Sequence, residues 1–314
     1  MLTYDLANIR LLLAEPNVTV RRQLEEALHE HGFHTIQSTG NLLAIRNAIE
    51  QGTVDLLVGD TILPEGNLSE VIRDVRHGVL GSNPFLVAIT LASNPSLPMM
   101  RGIIDSGTDA VLTKPFTPEQ LVDRIMQLIE KRKRFVVTSE YVGPDRRLQA
   151  RPGTQVVQVF DVPNPLQCRA MGQVDPFRMK RMVESAAARI NEQKVERDAY
   201  QIGYLVDRIL PGLNGTGDKT EAREYLQHLA QVSRDIGRRI KSTRHLPAAA
   251  MCLSLIDLVD RVLTEFDAPH EDDLRHLEQL PGLIGRLVLP PGDQMRAPLE
   301  NRCDAEESPP VTAS

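Results

Sequence analysis

Cysteines are few and far apart in this sequence of 314 residues. Only Cys168, Cys252 and Cys303 are present, and no two of them form a Cys-x-x-Cys pair. A disulfide framework or a structural zinc site requires several cysteines at short spacings. The sequence therefore argues against both, and it favours a reducing compartment such as the cytoplasm.

Excess positive charge and long apolar runs are also missing. The formal net charge is -6, so no general attraction to DNA or to anionic membranes is expected. The most apolar segment, LPAAAMCLSLIDLVD, reaches Asp257 before it is long enough to span a bilayer. Near the start of the chain, Asp5 precedes any arginine, which is not typical of a signal peptide. We expect no membrane anchor.

Residues 8–131 alternate short apolar runs with amphipathic stretches. The apolar runs are NIRLLLA, FHTIQ, VDLLVG, FLVAITLA and DAVLTK, and the stretches with helical spacing lie near 18–31, 41–51, 67–77, 97–106 and 117–131. Runs too short for helices that alternate with helical periods indicate a parallel sheet covered on both faces. The prediction is a doubly wound α/β domain with a five-stranded parallel sheet, followed by an all-α region.

Four polar residues stand at or near the ends of the predicted strands. In a doubly wound sheet, ligands bind beyond the carboxyl ends of the strands. Glu15, Asp60, Thr90 and Lys114 should therefore converge in one cleft. For Asp60 alone, within TVDLLVGDTILPEG, an ordinary turn aspartate is the competing interpretation.

These motifs resemble the receiver domain of bacterial two-component response regulators. The matching segments are LLLAEPNVTVRRQL, GDTILPEG with its D-x-x-x-P turn, VAITLAS and GTDAVLTKPFTPEQL. The segment RFVVTSEYVGPDRR also resembles a basic tail that follows the last helix in a subset of receivers. The resemblance covers about two fifths of the chain, residues 8–131, and implies the flavodoxin-like receiver fold.

The resemblance also implies a role for each site residue. Asp60 would accept a phosphoryl group from a histidine kinase or a phosphotransfer protein, and the protein would not be an enzyme beyond assisting that transfer. Thr90 would donate its hydroxyl to the phosphoryl oxygens, and Lys114 would pair with them as a point charge. Mg²⁺ would be bound by Glu15, Asp60 and the backbone carbonyl of Ile62. The bond between Lys114 and Pro115 would be cis, as in the family.

Two positions depart from the family pattern. Receivers usually carry a second acid after the first strand, and here that position is Pro16, so weak Mg²⁺ binding is expected. The family also tends to have Tyr or Phe three residues before the lysine, and here that position is Val111. We expect the switching of this receiver to be weakened or differently built.

Composition divides the chain into four parts. We predict a receiver over 1–134, an exposed basic linker and extended segment over 135–175, a helical region over 176–289 and a disordered tail over 290–314. Residues 152–175 include a strand-like stretch that the sequence does not place. The linker assignment depends on cations that outnumber the nearby acids, namely Arg132, Lys133, Arg134, Arg146, Arg147 and Arg151.

The helical region carries two narrow apolar seams separated by the glycine-rich PGLNGTGD. They consist of Val195, Ala199, Ile202, Val206 and Ile209, and of Tyr225, Leu229, Val232, Ile236 and Ile240. Seams of this spacing predict a helical hairpin that buries them, either in a homodimer through 176–289 or in an intramolecular four-helix bundle with AAAMCLSLIDLVDRVL. Asp218 and Glu221 resemble a capping box for the second helix.

Three functions follow from this organisation. The first is a phosphorelay receiver whose helical region passes the phosphorylation state to a protein partner that the sequence does not identify. The second is a transcriptional regulator with a DNA-binding bundle, although long helices of mixed charge make nucleic acid the less favoured partner. The third is a receiver fold that is no longer phosphorylated and acts as a scaffold.

Overall fold

The computed structural model describes residues 4–147, 158–172 and 175–290. The chain forms two compact units, residues 1–190 and 191–314. Across the described ranges, no helix combines the length and the apolarity needed to cross a membrane. The predicted tail, apart from Pro290, lies outside the described residues, as does Arg151 of the predicted linker.

The elements follow one another along the chain as an α/β part and then a helical part. The strands are β1 (Leu11–Ala14), β2 (Ile36–Thr39), β3 (Leu56–Asp60), β4 (Ile62–Leu63), β5 (Gly66–Asn67), β6 (Val87–Ser93), β7 (Ala110–Lys114), β8 (Phe135–Val137), β9 (Val142–Pro144) and β10 (Val159–Phe160). The helices are α1 (Val18–Glu30), α2 (Leu42–Glu50), α3 (Leu68–Arg76), α4 (Leu97–Asp105), α5 (Pro118–Glu130), α6 (Pro165–Ala170), α7 (Pro176–Leu213), α8 (Lys219–Arg239), α9 (Ala249–Thr264) and α10 (Glu271–Val288).

The first unit is built on a five-stranded sheet with the order β2-β1-β3-β6-β7. All neighbouring strands in it are parallel. Helices α1 and α5 cover one face of this sheet and helices α2 and α3 cover the other. The predicted doubly wound five-stranded α/β domain is therefore confirmed.

Local sequence signals fix where the helices begin. The side chains of Asn17, Asn41 and Asn67 accept backbone N–H groups at the starts of α1, α2 and α3. Thr117 and Gln120 form a reciprocal capping box at the start of α5. These side chains satisfy N–H donors that have no partner inside the helix, so each helix begins at a defined residue.

Close packing at the end of β3 requires a glycine. A Cβ atom on Gly59 would lie 2.6 Å from Cδ2 of Leu68 and 2.7 Å from Cβ of Ala14. Both distances are shorter than ordinary van der Waals contact, so only glycine allows α3 to approach the sheet here. The glycine precedes Asp60 directly and helps to fix the backbone that carries it.

Residues 135–147 and 158–160 correct the prediction of an exposed linker. Strands β8, β9 and β10 form an antiparallel sheet with the order β10-β8-β9. Its apolar side chains are buried together with Phe85 of the receiver and with the first part of α7, in a cluster of Phe85, Phe135, Val137, Val142, Phe160, Val183, Ala186 and Ile190. The arginine-rich composition did not indicate this core, because the apolar runs between the cations are only a few residues long.

Arg76 at the end of α3, Arg132 after α5 and Asp109 before β7 form a buried network. Nη2 of Arg76 and Nε of Arg132 each donate to a carboxylate oxygen of Asp109 at 2.8 Å. Burial alone would raise the pKa of Asp109, but the charges of Arg132 and Arg76 outweigh it and lower that pKa. Burial lowers the pKa of Arg76 to about 10. Arg132, predicted to be a solvated linker cation, is thus part of the protein interior.

The second unit is a four-helix bundle. Residues 191–213 of α7 pack with α8, α9 and α10 around one apolar core. Of the two predicted seams, every residue except the partly buried Tyr225 is buried in this core, which also holds Leu255, Leu258 and Val259 of α9. The intramolecular bundle, rather than a homodimer through 176–289, therefore covers the seams.

The start of α8 differs in detail from its predicted capping box. The carboxylate of Asp218 accepts the N–H groups of Thr220 and Glu221, as an N-cap residue does. The Glu221 side chain accepts a hydrogen bond from the Tyr225 hydroxyl at 3.0 Å. Asp218 therefore caps the helix, while Glu221 bonds along it.

A buried ionic network joins α7 to α8 inside the bundle. Nζ of Lys194 donates to Oδ1 of Asp198 at 2.6 Å and lies 3.4 Å from Oδ2 of Asp235, which also pairs with Arg239. Oδ2 of Asp198 is buried without a hydrogen-bond partner. Burial is the main cause that raises the pKa of Asp198 to about 7, against the opposing charge of Lys194.

Candidate functional site

Three of the four converging residues meet at the carboxyl edge of the parallel sheet. Nζ of Lys114, the last residue of β7, lies 2.6 Å from Oδ2 of Asp60 and 2.7 Å from Oε2 of Glu15. Asp60 is the last residue of β3, and Glu15 follows β1 directly. One ammonium group thus bridges two carboxylates, and the fold brings these three residues together at one edge of the sheet.

Backbone N–H groups orient the two carboxylates. Oδ1 of Asp60 accepts the N–H of Ile62 at 3.0 Å, and Oε1 of Glu15 accepts the N–H of Asn17 at 2.9 Å. Nη1 of Arg21 donates to the carbonyl oxygen of Glu15 at 2.6 Å. These bonds hold each carboxylate with one oxygen toward its own loop and the other toward Lys114.

Opposing effects act on the lysine. Burial alone would lower the pKa of Lys114, but the hydrogen bonds and charges of Asp60 and Glu15 outweigh it and raise that pKa. The ammonium form is therefore favoured at neutral pH. The Asp60 side chain is 12% exposed, so the carboxylate is held in a defined place and a reactant still has access to it.

Thr90, the fourth predicted residue, lies apart from these three side chains. Its hydroxyl is fully buried and donates to Oγ1 of Thr108 at 2.9 Å. Thr90 pairs with Gly59 in the sheet, whereas Asp60 pairs with Leu91. Because successive side chains of a strand point to opposite faces, Thr90 lies on the face covered by α2 and α3, away from Asp60. In this structure the Thr90 hydroxyl is engaged by Thr108, and its bond to phosphoryl oxygens stays a prediction.

Another hydroxyl has the right position in the strand. Ser93, the last residue of β6, pairs with Lys114 and lies two residues beyond Leu91, which pairs with Asp60. It is exposed and shares the sheet face of Asp60 and Lys114. Because residues on both faces of β6 are buried, the sequence alone does not show that Ser93 shares the face of Asp60.

Both departures from the family pattern have a place in the fold. Pro16 follows Glu15 in the loop before α1 and supplies neither a carboxylate nor an N–H group. Val111 of β7 pairs with Thr90 of β6 and lies on the sheet face away from Asp60. The peptide bond between Lys114 and Pro115 is cis, as predicted.

The donors at the site fit Mg²⁺ in kind and fall short in number. Glu15 and Asp60 offer carboxylate oxygens, the ligand type that Mg²⁺ prefers. Within the described ranges, however, no group of three or more His, Cys, Asp or Glu side chains is placed to hold a metal. The Ile62 carbonyl and water would have to supply the remaining ligands.

Comparisons with known proteins find a family model and curated relatives that match part of this chain. Residues 11–126 match the family model of the response regulator receiver domain. The phosphate regulon transcriptional regulatory protein PhoB of Klebsiella pneumoniae is 26% identical over 154 residues, which is 49% of this chain and 65% of that protein. PhoB of Escherichia coli K12 is 26% identical over 122 residues, 39% of this chain and 52% of that protein.

The chain thus spans about half to two thirds of the length of these relatives. A solved response regulator receiver domain protein (CheY-like) from Methanospirillum hungatei is 20% identical, with a TM-score of 0.36, over 39% of this chain and 94% of that one. The family match identifies the matched residues, 11–126, as a response regulator receiver domain.

Proposed function

We propose that this chain, whose residues 11–126 are a response regulator receiver domain, accepts a phosphoryl group on Asp60 from a histidine kinase or a phosphotransfer protein in the cytoplasm. The observation that carries the proposal is the contact of Lys114 with both Asp60 and Glu15 at the carboxyl edge of the sheet. A turn aspartate that only closed a loop would not need a buried acid and a lysine from two other strands.

Transfer to a carboxylate depends mainly on positioning and on charge neutralisation. An oxygen of Asp60 attacks the phosphorus of a phosphohistidine, the bond from phosphorus to the imidazole nitrogen breaks, and that nitrogen keeps the electron pair. Lys114 offsets the negative charge on the transferred group, and the N–H of Ile62 fixes the plane of the Asp60 carboxylate. The protein assists its own modification and is not otherwise an enzyme.

Glu15, Asp60 and the Ile62 carbonyl are the residues that would hold Mg²⁺. When bound, the ion would neutralise charge on the phosphoryl oxygens. Pro16 removes the carboxylate that receivers usually add to this set, so the affinity for the metal is expected to be low. Lys114 then carries a larger share of the neutralisation.

We propose that the bundle of residues 191–288 passes the state of Asp60 to a protein partner. The curated relatives are named as transcriptional regulators, which raises DNA as the competing output. Three of the four cations in the basic cluster RRIKSTR at 238–244 are, however, in ion pairs: Arg238 and Arg239 pair with Asp235, and Arg244 pairs with Glu196. Cations held in ion pairs are less available to phosphates than solvated cations are.

Phosphoramidate, a small-molecule phosphodonor, tests the proposal on the full chain. With Mg²⁺ present, intact mass should increase by one phosphoryl group. Asp60→Asn, which keeps the size of the side chain, should abolish the increase, while Asp123→Asn on the exposed face of α5 should not. Lys114→Met should slow the labelling.

The alternatives predict other outcomes. A wild-type chain that gains no mass at high donor concentration would favour the scaffold that is not phosphorylated. Labelling that persists in Asp60→Asn would move the acceptor to another residue. Retention of the phosphorylated chain on duplex DNA at physiological salt would favour the transcriptional regulator.

A further inference from the structure

The first unit contains a cavity of about 410 Å³ at the sheet edge opposite Asp60. Arg10, just before β1, and Asp55, just before β3, lie on one side of it. Residues of α6 and of the first turns of α7 line the other side. Small-molecule sites in proteins typically measure roughly 300–1,000 Å³, so the cavity is large enough for a small ligand.

Much of the cavity wall is apolar. The side chains of Ile49, Val54 and Leu86 come from the receiver and are buried, as is Val183 of α7. Met179 of α7 adds a flexible thioether to the same wall. This part of the cavity would accept the apolar body of a ligand.

The polar part of the wall carries an excess of positive charge. Nε and Nη2 of Arg10 donate to the two oxygens of Asp55 at 2.9 and 2.7 Å. Nε of Arg169, on α6, donates to the same carboxylate at 3.0 Å. Two guanidinium groups therefore share a single carboxylate, which leaves one positive charge without compensation.

The uncompensated positive charge lies at the guanidinium edge of Arg169 that includes Nη1. Arg10 uses its third nitrogen on the carbonyl oxygen of Gly52 at 3.0 Å. Arg169 has a long contact from Nη2 to Asp55 at 3.5 Å, and within the described parts of the chain its Nη1 has no hydrogen-bond partner. Lys180 and Glu184, the other charged residues of the wall, are exposed and form an ion pair with Nζ and Oε1 3.9 Å apart.

We propose that this cavity binds a small organic monoanion with an apolar body, whose anionic group pairs with the free edge of Arg169. The guanidinium fork suits a carboxylate or a phosphate diester, since both are monoanions that accept two parallel hydrogen bonds. The apolar wall of Ile49, Leu86 and Val183 takes up the rest of the molecule. This site is separate from Asp60 and does not depend on its phosphorylation.

Cys168 provides a direct measure of occupancy because it also lines the cavity. Burial raises the pKa of its thiol, so alkylation is slow enough to follow at mildly alkaline pH. In a Cys303→Ser chain, Cys252 is the remaining second thiol, and burial raises its pKa to about 11. Peptide mass distinguishes the two modified residues.

Three probes of equal length separate charge from apolarity: octanoate, octanol and octylammonium. Octanoate should protect Cys168 with an affinity at least about tenfold higher than that of octanol, the effect of one charge-assisted hydrogen bond. Octylammonium should protect least. Arg169→Met should remove the advantage of octanoate over octanol, Arg169→Lys should restore part of it, and Arg181→Met, an exposed arginine outside the lining, should leave it unchanged.

Two further results decide the proposal. Val183→Phe, which fills the cavity from its apolar side, should abolish protection by octanoate and octanol while Asp60 remains open to phosphorylation. Equal protection by octanoate and octanol in the wild type would show that Arg169 does not recognise an anion. No protection by any of the probes at millimolar concentration would mean that the cavity is not a ligand site.

Discussion

Phe135 provides the sharpest test of the region that composition assigned to a linker. It begins β8 and is fully buried. Its ring meets the ring of Phe85 edge-on at a centroid distance of 5.8 Å and lies 5.2 Å from the guanidinium carbon of Arg76 and 5.1 Å from that of Arg132. Phe135→Ala would open a cavity here and would remove the aromatic face from both cations.

The expected cost follows from that environment. A buried phenylalanine replaced by alanine typically destabilises a protein by about 3–5 kcal/mol, because the apolar contacts are lost and the surroundings collapse only in part. The same change in an exposed linker would cost about 0.5 kcal/mol or less. The two interpretations therefore differ by several kcal/mol in the stability of the first unit.

Amide hydrogen exchange of the full chain measures this stability one unit at a time, which a single melting transition of a two-unit chain does not. Peptides covering β6 and β7 should exchange roughly hundredfold faster or more in Phe135→Ala, the equivalent of about 3 kcal/mol. The matched control is Phe177→Ala, since Phe177 is 80% exposed near the start of α7. Similar exchange rates in the two variants would refute the buried position of β8.

Three further predictions concern the site and the bundle. Thr90→Val should leave the phosphorylation rate of Asp60 unchanged and cost about 1 kcal/mol for its bond to Thr108, whereas Ser93→Ala should change the rate of phosphorylation or of hydrolysis. Burial raises the pKa of Asp198 to about 7, so the folded bundle holds a proton that the unfolded chain releases near pH 4. The stability of the bundle should therefore fall by roughly a few kcal/mol as the pH rises between those values. Thermal unfolding of Asp198→Asn should lack this fall. Pro16→Asp should tighten Mg²⁺ binding by about tenfold, as one added carboxylate ligand would, and equal affinity in a titration of both chains would argue against Pro16 as the missing acid position.

The receiver sheet was predictable because its signals are local and repeated. Four of the five strands are short apolar runs, β2 with IQST being the exception, and the helices show a period near 3.6 with a capping residue such as Asn17 or Thr117 before them. The convergence of Glu15, Asp60 and Lys114 then follows from geometry, since parallel strands end at one edge. None of these inferences requires knowledge of which side chains touch.

The segment that follows α5 and the helical bundle show what this kind of inference does not reach. Arginine-rich composition is normally a sign of solvation, but Arg132 is drawn inside by a single acid, Asp109, which lies far from it in sequence. The seams of the bundle predicted that Ile202 and Ile236 would be buried, yet not by which partner. A core within one chain and an interface between two chains give the same apolar period in a sequence. Only the packing of α9 against α8 shows that the seams are buried within one chain.

The hydroxyl at the phosphoryl site illustrates a different limit, that of strand register. Asp60, Leu91 and Ser93 share a sheet face, and Thr90 lies on the other one. A shift of one residue along a strand exchanges its two faces, so the choice between Thr90 and its neighbours depends on where β6 lies against β3. The resemblance to receivers pointed to the threonine by its residue type, whereas the pairing of Ser93 with Lys114 selects the serine by position. The register therefore places Ser93 on the face of Asp60, and the Thr90→Val and Ser93→Ala variants decide which hydroxyl acts on the phosphoryl group.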